Sequence, residues 1–227
     1  MDERGKKYLI KEDREFQSDL GIIKKEQMER ATIGDTIITH LNKEFKVIKP
    51  TVNDFIDLMD RRCSILIQKD IGTVLARTGL GSGDRVIDAG TGAGAIALNF
   101  GNVVGEKGKV FTYEIREDFA EVAKKNIDDF GIKNIEVKNQ NIKDGIDEEE
   151  IDLVFLDLPK PFEIFEGGSV DVGDFSCAVV CKAAVFLRPY LVVSPETGQH
   201  LIYYRFVHYL KRCLKNACKD NIHFQCH

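Results

Sequence analysis

A chain of 227 residues with a net charge of −5, 43% hydrophobic and 30% charged residues and no tryptophan is long enough to bury a full core, and it fits one medium domain plus a small appendage. The acidic balance argues against a general nucleic-acid coat, although local basic doublets at Lys24-Lys25, Arg61-Arg62, Lys124-Lys125 and Lys211-Arg212 would suffice for a folded RNA. No apolar run approaches the roughly 20 residues that cross a bilayer, and the polar opening Met1 to Lys7 carries no secretory signal, so no membrane partner and a cytoplasmic location are expected.

Residues 1–50 lack helical periodicity and show short alternating runs at Tyr8-Leu9-Ile10, Thr36-Ile37-Ile38-Thr39 and Glu44-Phe45-Lys46-Val47-Ile48. Gly34-Asp35 and Asn42-Lys43 supply turn chemistry between them. A small β domain over 1–50 is expected, with too few strands to be stable without a neighbour. Thr51 is placed to cap a helix carrying Val52, Phe55, Ile56 and Met59 on one face. Asp70 is placed to cap another, running through Leu75 and stopped by Gly79.

From about residue 64 strands and helices alternate. The run Val86-Ile87-Asp88-Ala89 reads as a buried strand, and Gly90-Thr91-Gly92-Ala93-Gly94 as a glycine-rich turn into a helix. Val110-Phe111-Thr112-Tyr113-Glu114 follows as a strand that ends in an acid. A helix over Glu117 to Phe130 carries Phe119, Val122, Ala123, Ile127 and Phe130 on one side, and Gly131 closes it. Strands are expected at 135–137 and 151–156, with a later one near Tyr190 to Pro195. This alternation predicts an α/β fold with a parallel, doubly wound sheet over 51–227. Ligands in such sheets gather beyond the carboxyl ends of the strands, where Asp88, Glu114, Asn141 and Asp157 fall.

Six cysteines are present, five of them after residue 176. No Cys-x-x-Cys spacing occurs, so a zinc ribbon is not indicated. Cys177 and Cys181 stand one helical turn apart and could join His223 or His227 on a metal, but reduced thiols are the expected state and no metal is assigned.

The glycine turn and the acid after the next strand point to an adenosine-containing cofactor. Gly90-Thr91-Gly92-Ala93-Gly94-Ala95 satisfies the dinucleotide fingerprint. A pyrophosphate on a helix N-terminus would, however, be repelled by Asp88, two residues before the first glycine. An acid there suits the ammonium and sulfonium of S-adenosylmethionine. Glu114 can accept two hydrogen bonds from ribose hydroxyls, the glycines admit close backbone approach, and Asn141 can meet an adenine edge. Asp157-Leu158-Pro159-Lys160-Pro161 places a stiffened carboxylate at a strand end, where it can orient an acceptor amine and offset the cation that forms as a methyl group is transferred.

The segments 88–94, Tyr113-Glu114-Ile115-Arg116, Asp157-Leu158-Pro159-Lys160-Pro161 and Lys69-Asp70-Ile71-Gly72 together resemble the tRNA (adenine-N1)-methyltransferases that act on adenine 58 of the T-loop. The β module before Ile48-Lys49-Pro50-Thr51 is similar to that family's N-terminal domain. The resemblance covers roughly residues 5–165. It implies a Rossmann-like S-adenosylmethionine-dependent sheet behind a small N-terminal β domain for RNA binding or oligomerisation. It also implies tRNA as partner, methylation of adenine 58 with adenine 57 as a further target, and a homotetramer. Gly90, Thr91, Gly92, Ala93, Gly94, Ala95 and Ile96 would wrap the methionine and ribose, with Asp88 beside them. Glu114 would take the ribose hydroxyls, Phe119 would lie against the adenine, Asn141 stands where the family more often has Asp, and Asp157 would be the catalytic carboxylate. Ile67 replaces an aromatic common in the family, and the chain departs from the family pattern after Phe162. Two alternatives share the core: a small-molecule methyltransferase of the corrinoid-pathway type, which has no need of the β module, and a non-catalytic RNA-binding subunit, which tends to lose the glycine loop.

Overall fold

The computed structural model describes residues 1–10, 14–159 and 161, with the backbone of three further strands at 178–181, 191–193 and 200–202. They form two compact units, Met1–Met59 and Asp60–His227. Lys211-Arg212, Cys177, Cys213, Cys218, Cys226, His223 and His227 lie outside the described residues.

In the first unit β1 (Phe16–Ser18) pairs antiparallel with β2 (Gly21–Ile23), α1 (Lys25–Arg30) follows, and β3 (Thr36–Ile38) pairs antiparallel with β4 (Glu44–Lys46). The expected strands at 36–39 and 44–48 are present in shortened form. Tyr8-Leu9-Ile10 is not a strand: the Tyr8 ring instead packs edge-on to Phe16 at 5.0 Å and against Phe45 at 5.8 Å, in a small core with Ile23, Met28 and Ile37. The first hairpin and α1 were not foreshadowed, because three-residue strands and a six-residue helix are shorter than the windows over which periodicity shows.

Helix α2 (Val52–Leu58) completes this unit and buries Phe55 and Ile56. Thr51 caps it as expected: the Asp54 N–H donates to Thr51 Oγ1 at 3.2 Å, and the Thr51 N–H donates to Asp54 Oδ2 at 3.0 Å, a reciprocal capping box. Lys7 ion-pairs with the same Asp54. That bond, with the two from Thr51, holds the Asp54 carboxyl down to about 2. Thr51→Ala should cost about 1 kcal/mol of stability, seen as a lower unfolding midpoint of the full chain; an unchanged midpoint would contradict the cap.

In the second unit α3 (Gln68–Thr78) precedes β5 (Arg85–Ala89), α4 (Ala95–Val104), β6 (Lys109–Tyr113), α5 (Glu117–Phe130), β7 (Ile135–Lys138) and β8 (Leu153–Leu156). Asp70 does not cap α3. Ile67 holds the cap position and Asp70 is buried in the first turn, so the helix starts three residues earlier than the capping pattern suggests. Gly79 ends it with φ +69°, as expected.

Strands β9 (Ala178–Cys181), β10 (Leu191–Val193) and β11 (His200–Ile202) complete a sheet of order β11-β10-β9-β8-β5-β6-β7. All neighbours from β9 through β7 are parallel, while β10 and β11 run antiparallel on the β9 edge. Helices α3 and α4 bury Ile71, Val74, Ile96, Ala97, Phe100 and Val104 against Val86, Val110, Leu153 and Phe155. Between β5 and β8 the strand order reverses, so the ends of these two neighbours open the crevice typical of doubly wound sheets. Among the described residues no helix is long and apolar enough to cross a membrane.

Candidate active site

The loop Gly90–Gly94 leaves β5 and enters α4 at that crevice. Gly90 has φ +94°, and a Cβ on it would come within 2.4 Å of the Asp157 carbonyl oxygen. The first glycine is therefore required both by its dihedral and by the passage of the β8 end alongside. The Asp157 N–H donates to the Ala89 carbonyl at 2.8 Å, which stitches the two strand ends together. Gly90 and Thr91 each donate to the Tyr113 carbonyl, at 3.0 and 3.3 Å. One turn thus ties the ends of β5, β6 and β8.

Asp88 is fully buried. The Thr112 hydroxyl donates to its Oδ2 at 2.6 Å, and Thr112 Oγ1 lies 2.6 Å from Thr91 Oγ1. The other oxygen, Oδ1, is buried and has no hydrogen-bond partner among the described residues. Burial raises the Asp88 carboxyl to about 7; the Thr112 hydroxyl pulls it down, and the charges of Asp157 and Glu114 push it up again. A buried carboxylate oxygen without a partner is costly, and this one sits at the base of a glycine loop.

Glu114, also buried, accepts the Gly92 N–H on Oε2 at 3.0 Å and the Arg116 N–H on Oε1 at 3.1 Å. Each carboxylate oxygen keeps capacity for a further donor. Ala93, Ala95 and Ile96 are buried at the start of α4, and Ile96 faces the core, so these three offer backbone rather than side chain. The first N–H groups of a helix lack intrahelical partners.

Phe119 is buried with the Arg116 guanidinium 3.2 Å from its ring centroid, so a cation already lies against the ring read as an adenine contact. Ile115, between Glu114 and Arg116, is 66% exposed and is the open apolar surface at this strand end. Asn141 caps a 3-10 turn over Ile142–Asp144 by accepting the Lys143 N–H on Oδ1 at 3.1 Å. The structure thus brings Asp88, Gly90–Ile96, Glu114 and Asp157 around one loop, while Asn141 and Phe119 each already carry a structural contact.

Two contributors escaped the sequence reading. Thr112 and Asn126 are polar residues on faces that alternation and helical spacing reserve for apolar ones. Asn126, 2% exposed on α5, donates through Nδ2 to the Asp60 carbonyl at 2.7 Å and to the Ala93 carbonyl at 3.0 Å. A polar residue on an apolar stripe was the available signal. Of the basic doublets, Lys125 binds Asp60 at 2.6 Å and Arg62 faces Asp118 at 3.9 Å.

Residues present at the loop fit a cation better than a pyrophosphate: three carboxylates, one with a buried orphan oxygen, stand where phosphates would need positive charge. A mostly parallel sheet with such a loop is a Rossmann-like fold of the kind found in S-adenosylmethionine-dependent methyltransferases. Among solved structures, an S-adenosylmethionine-dependent O-methyltransferase from Thermotoga maritima is 26% identical with a TM-score of 0.64, covering 86% of this chain and 81% of its own. The tRNA (m1A58) methyltransferase TrmI from Aquifex aeolicus is 27% identical with a TM-score of 0.59, covering 71% of this chain and 64% of its own. The tRNA (adenine(57)-N(1)/adenine(58)-N(1))-methyltransferase TrmI of Methanocaldococcus jannaschii is 36% identical over 193 residues, spanning 73% of this chain and 67% of the relative. The family described as tRNA methyltransferase complex GCD14 subunit matches residues 44–183, and the chain belongs to that family.

Proposed function

We propose that this protein methylates N1 of adenine in the T-loop of tRNA, at position 58 and, as in the archaeal relative, at 57, with S-adenosylmethionine as donor. The tRNA adenine rests on the family and its relatives, and the observation that carries the donor is the buried Oδ1 of Asp88, without a hydrogen-bond partner among the described residues, at the base of a carboxylate-lined glycine loop. The donor supplies an electrophilic methyl group on a cationic sulfur. Asp88 attracts that cationic end, while the backbone of Gly90, Thr91, Gly92, Ala93, Gly94, Ala95 and Ile96 lets it approach closely. Glu114 accepts the ribose hydroxyls on its remaining lone pairs. Ile115 offers the adenine an apolar face, with Phe119 behind it once the Arg116 guanidinium gives way.

Asp157, at the end of the strand beside the loop, accepts a hydrogen bond from the exocyclic amine of the target adenine. It offsets the positive charge that passes from sulfur to the ring as the S–C bond breaks and the N1–C bond forms. The Met1–Met59 unit helps grip the RNA, and a homotetramer lets one subunit's unit serve a neighbour's site. Exposed ion pairs such as Lys125–Asp60 and Arg62–Asp118 contribute little to stability, so these cations can be exchanged for phosphates.

The test is incubation with methyl-labelled donor and a tRNA transcript, followed by mapping of the label. Label at N1 of adenine 58 is expected; a T-loop left unlabelled by protein that binds the donor would reject the assignment. Asn141→Asp should tighten donor binding several-fold, because a carboxylate accepts from an adenine amine about twice as strongly as a neutral carbonyl. Calorimetric titration checks this, and weaker binding would remove Asn141 from the site.

A further inference from the structure

Beyond the residues that face the pocket, the glycine loop is held from behind. We propose that Asn126 is a positioning residue for donor binding: its amide pins the Ala93 carbonyl of the loop and the Asp60 carbonyl to helix α5, so that the loop and the segment 60–66 form one fixed wall of the pocket. The inference rests on the reading that Gly90–Gly94 receives the donor.

Three observations carry it. Asn126 occupies the buried face of α5 with Phe119, Ala120, Ala123 and Ile127, where an unpaired amide would be costly. Both of its N–H groups are used, one on each segment, at 3.0 Å to Ala93 and 2.7 Å to Asp60. The same two segments meet again at Gly92, where a Cβ would lie 3.0 Å from Cys63 Sγ, and the loop lies on α5 at Gly94, where a Cβ would lie 3.5 Å from Ala123. The flanking ion pairs Lys125–Asp60 and Arg62–Asp118 join exposed side chains and cannot set the loop position as a buried amide can. The position of the Ala93 carbonyl in turn fixes how Gly92 meets Glu114 and how the chain enters α4. A pre-set loop spends none of the donor's binding energy on ordering.

The test is Asn126→Ala in the full chain, read in two ways. By NMR hydrogen exchange without any ligand, amides 91–95 should exchange at least tenfold faster, while core strand amides such as Ile87 and Val154 stay within twofold of wild type. By calorimetry the donor dissociation constant should rise at least tenfold, with the KM for tRNA within twofold. In folded variant protein, the absence of either change overturns the proposal, as does exchange accelerated equally throughout the unit, which is the mark of a merely stabilising residue. If Asn126→Ala does not fold, Asn126→Ser, which keeps one donor, is read the same way and should give smaller changes of both kinds. Wild-type protein that binds no donor would defeat the functional reading above, and the exchange measurement would then decide whether Asn126 holds the loop.

Discussion

Replacing Asp157 by alanine is expected to lower kcat on tRNA by roughly 10²–10⁴-fold, the range for losing a positioned proton acceptor or charge stabiliser at the reacting atoms. The KM for tRNA and the affinity for the donor should stay within about threefold. Asp157 follows the last residue of β8, and its N–H is tied to Ala89 at 2.8 Å, so the backbone holds the position whatever the side chain. Only the carboxylate is lost. Binding of a folded tRNA draws on many phosphate contacts, and one acid at the target base adds little to it. Asp157→Asn preserves shape and a hydrogen-bond acceptor but not charge, so its activity should fall between alanine and wild type. Equal losses in kcat and in tRNA affinity would place Asp157 in RNA binding instead.

The second large effect concerns Asp88 and is one of opposed signs. Its carboxyl is raised to about 7 in the folded protein, against about 4 for an unfolded aspartate. Across that window the folded state binds more protons than the unfolded one, so the contribution of this group to stability is greatest below pH 4 and declines as pH rises to 7. Asp88→Asn removes the buried charge and should stabilise the protein by about 2–4 kcal/mol at pH 8, with little change near pH 4. Donor affinity should move the other way. A cation docked beside the carboxylate favours its ionised form, so binding below pH 7 releases a proton and strengthens as pH rises, by up to about tenfold per unit. Asp88→Asn should bind at least about 30-fold more weakly at pH 8, as when one partner of a buried charge pair is removed, and with affinity flat in pH. Thermal unfolding and calorimetry in buffers of different ionisation enthalpy measure both. A variant that is destabilised at pH 8, or that binds the donor as wild type does, would contradict the role.

The parts legible in the sequence were those in which local chemistry and tertiary demand agree. Glu117–Phe130 carries an acidic first turn, an apolar stripe and a closing glycine with φ +84°, so its limits could be read directly. The glycines at 90, 92 and 94 announce a turn that no Cβ-bearing residue makes easily, and Asp88 stands out as an acid inside an apolar strand. What stayed hidden depends on contacts distant in sequence. The Tyr8 run alternates like a strand, yet its ring joins an aromatic cluster with Phe16 and Phe45. Asp70 reads as a cap but lies within α3, because burial of Ile71 and Val74 sets where that helix begins. The strand expected near Tyr190 to Pro195 is present as β10, but its antiparallel pairing with β9 and β11 could not be read from a pattern of strands spaced for crossovers. Asn126 and Thr112 become visible as site residues only once the loop is laid across them.

The measurement that bears most directly on the account is an equilibrium titration of the purified wild-type chain at pH 8 with S-adenosylmethionine, NAD and S-adenosylhomocysteine, repeated at pH 6. A pocket built of Asp88, Glu114 and Asp157 predicts one donor site per chain, weaker binding at pH 6 than at pH 8, a smaller pH dependence for S-adenosylhomocysteine, which lacks the sulfonium charge, and no binding of NAD. Tight NAD binding, or no binding of S-adenosylmethionine at either pH, would contradict it.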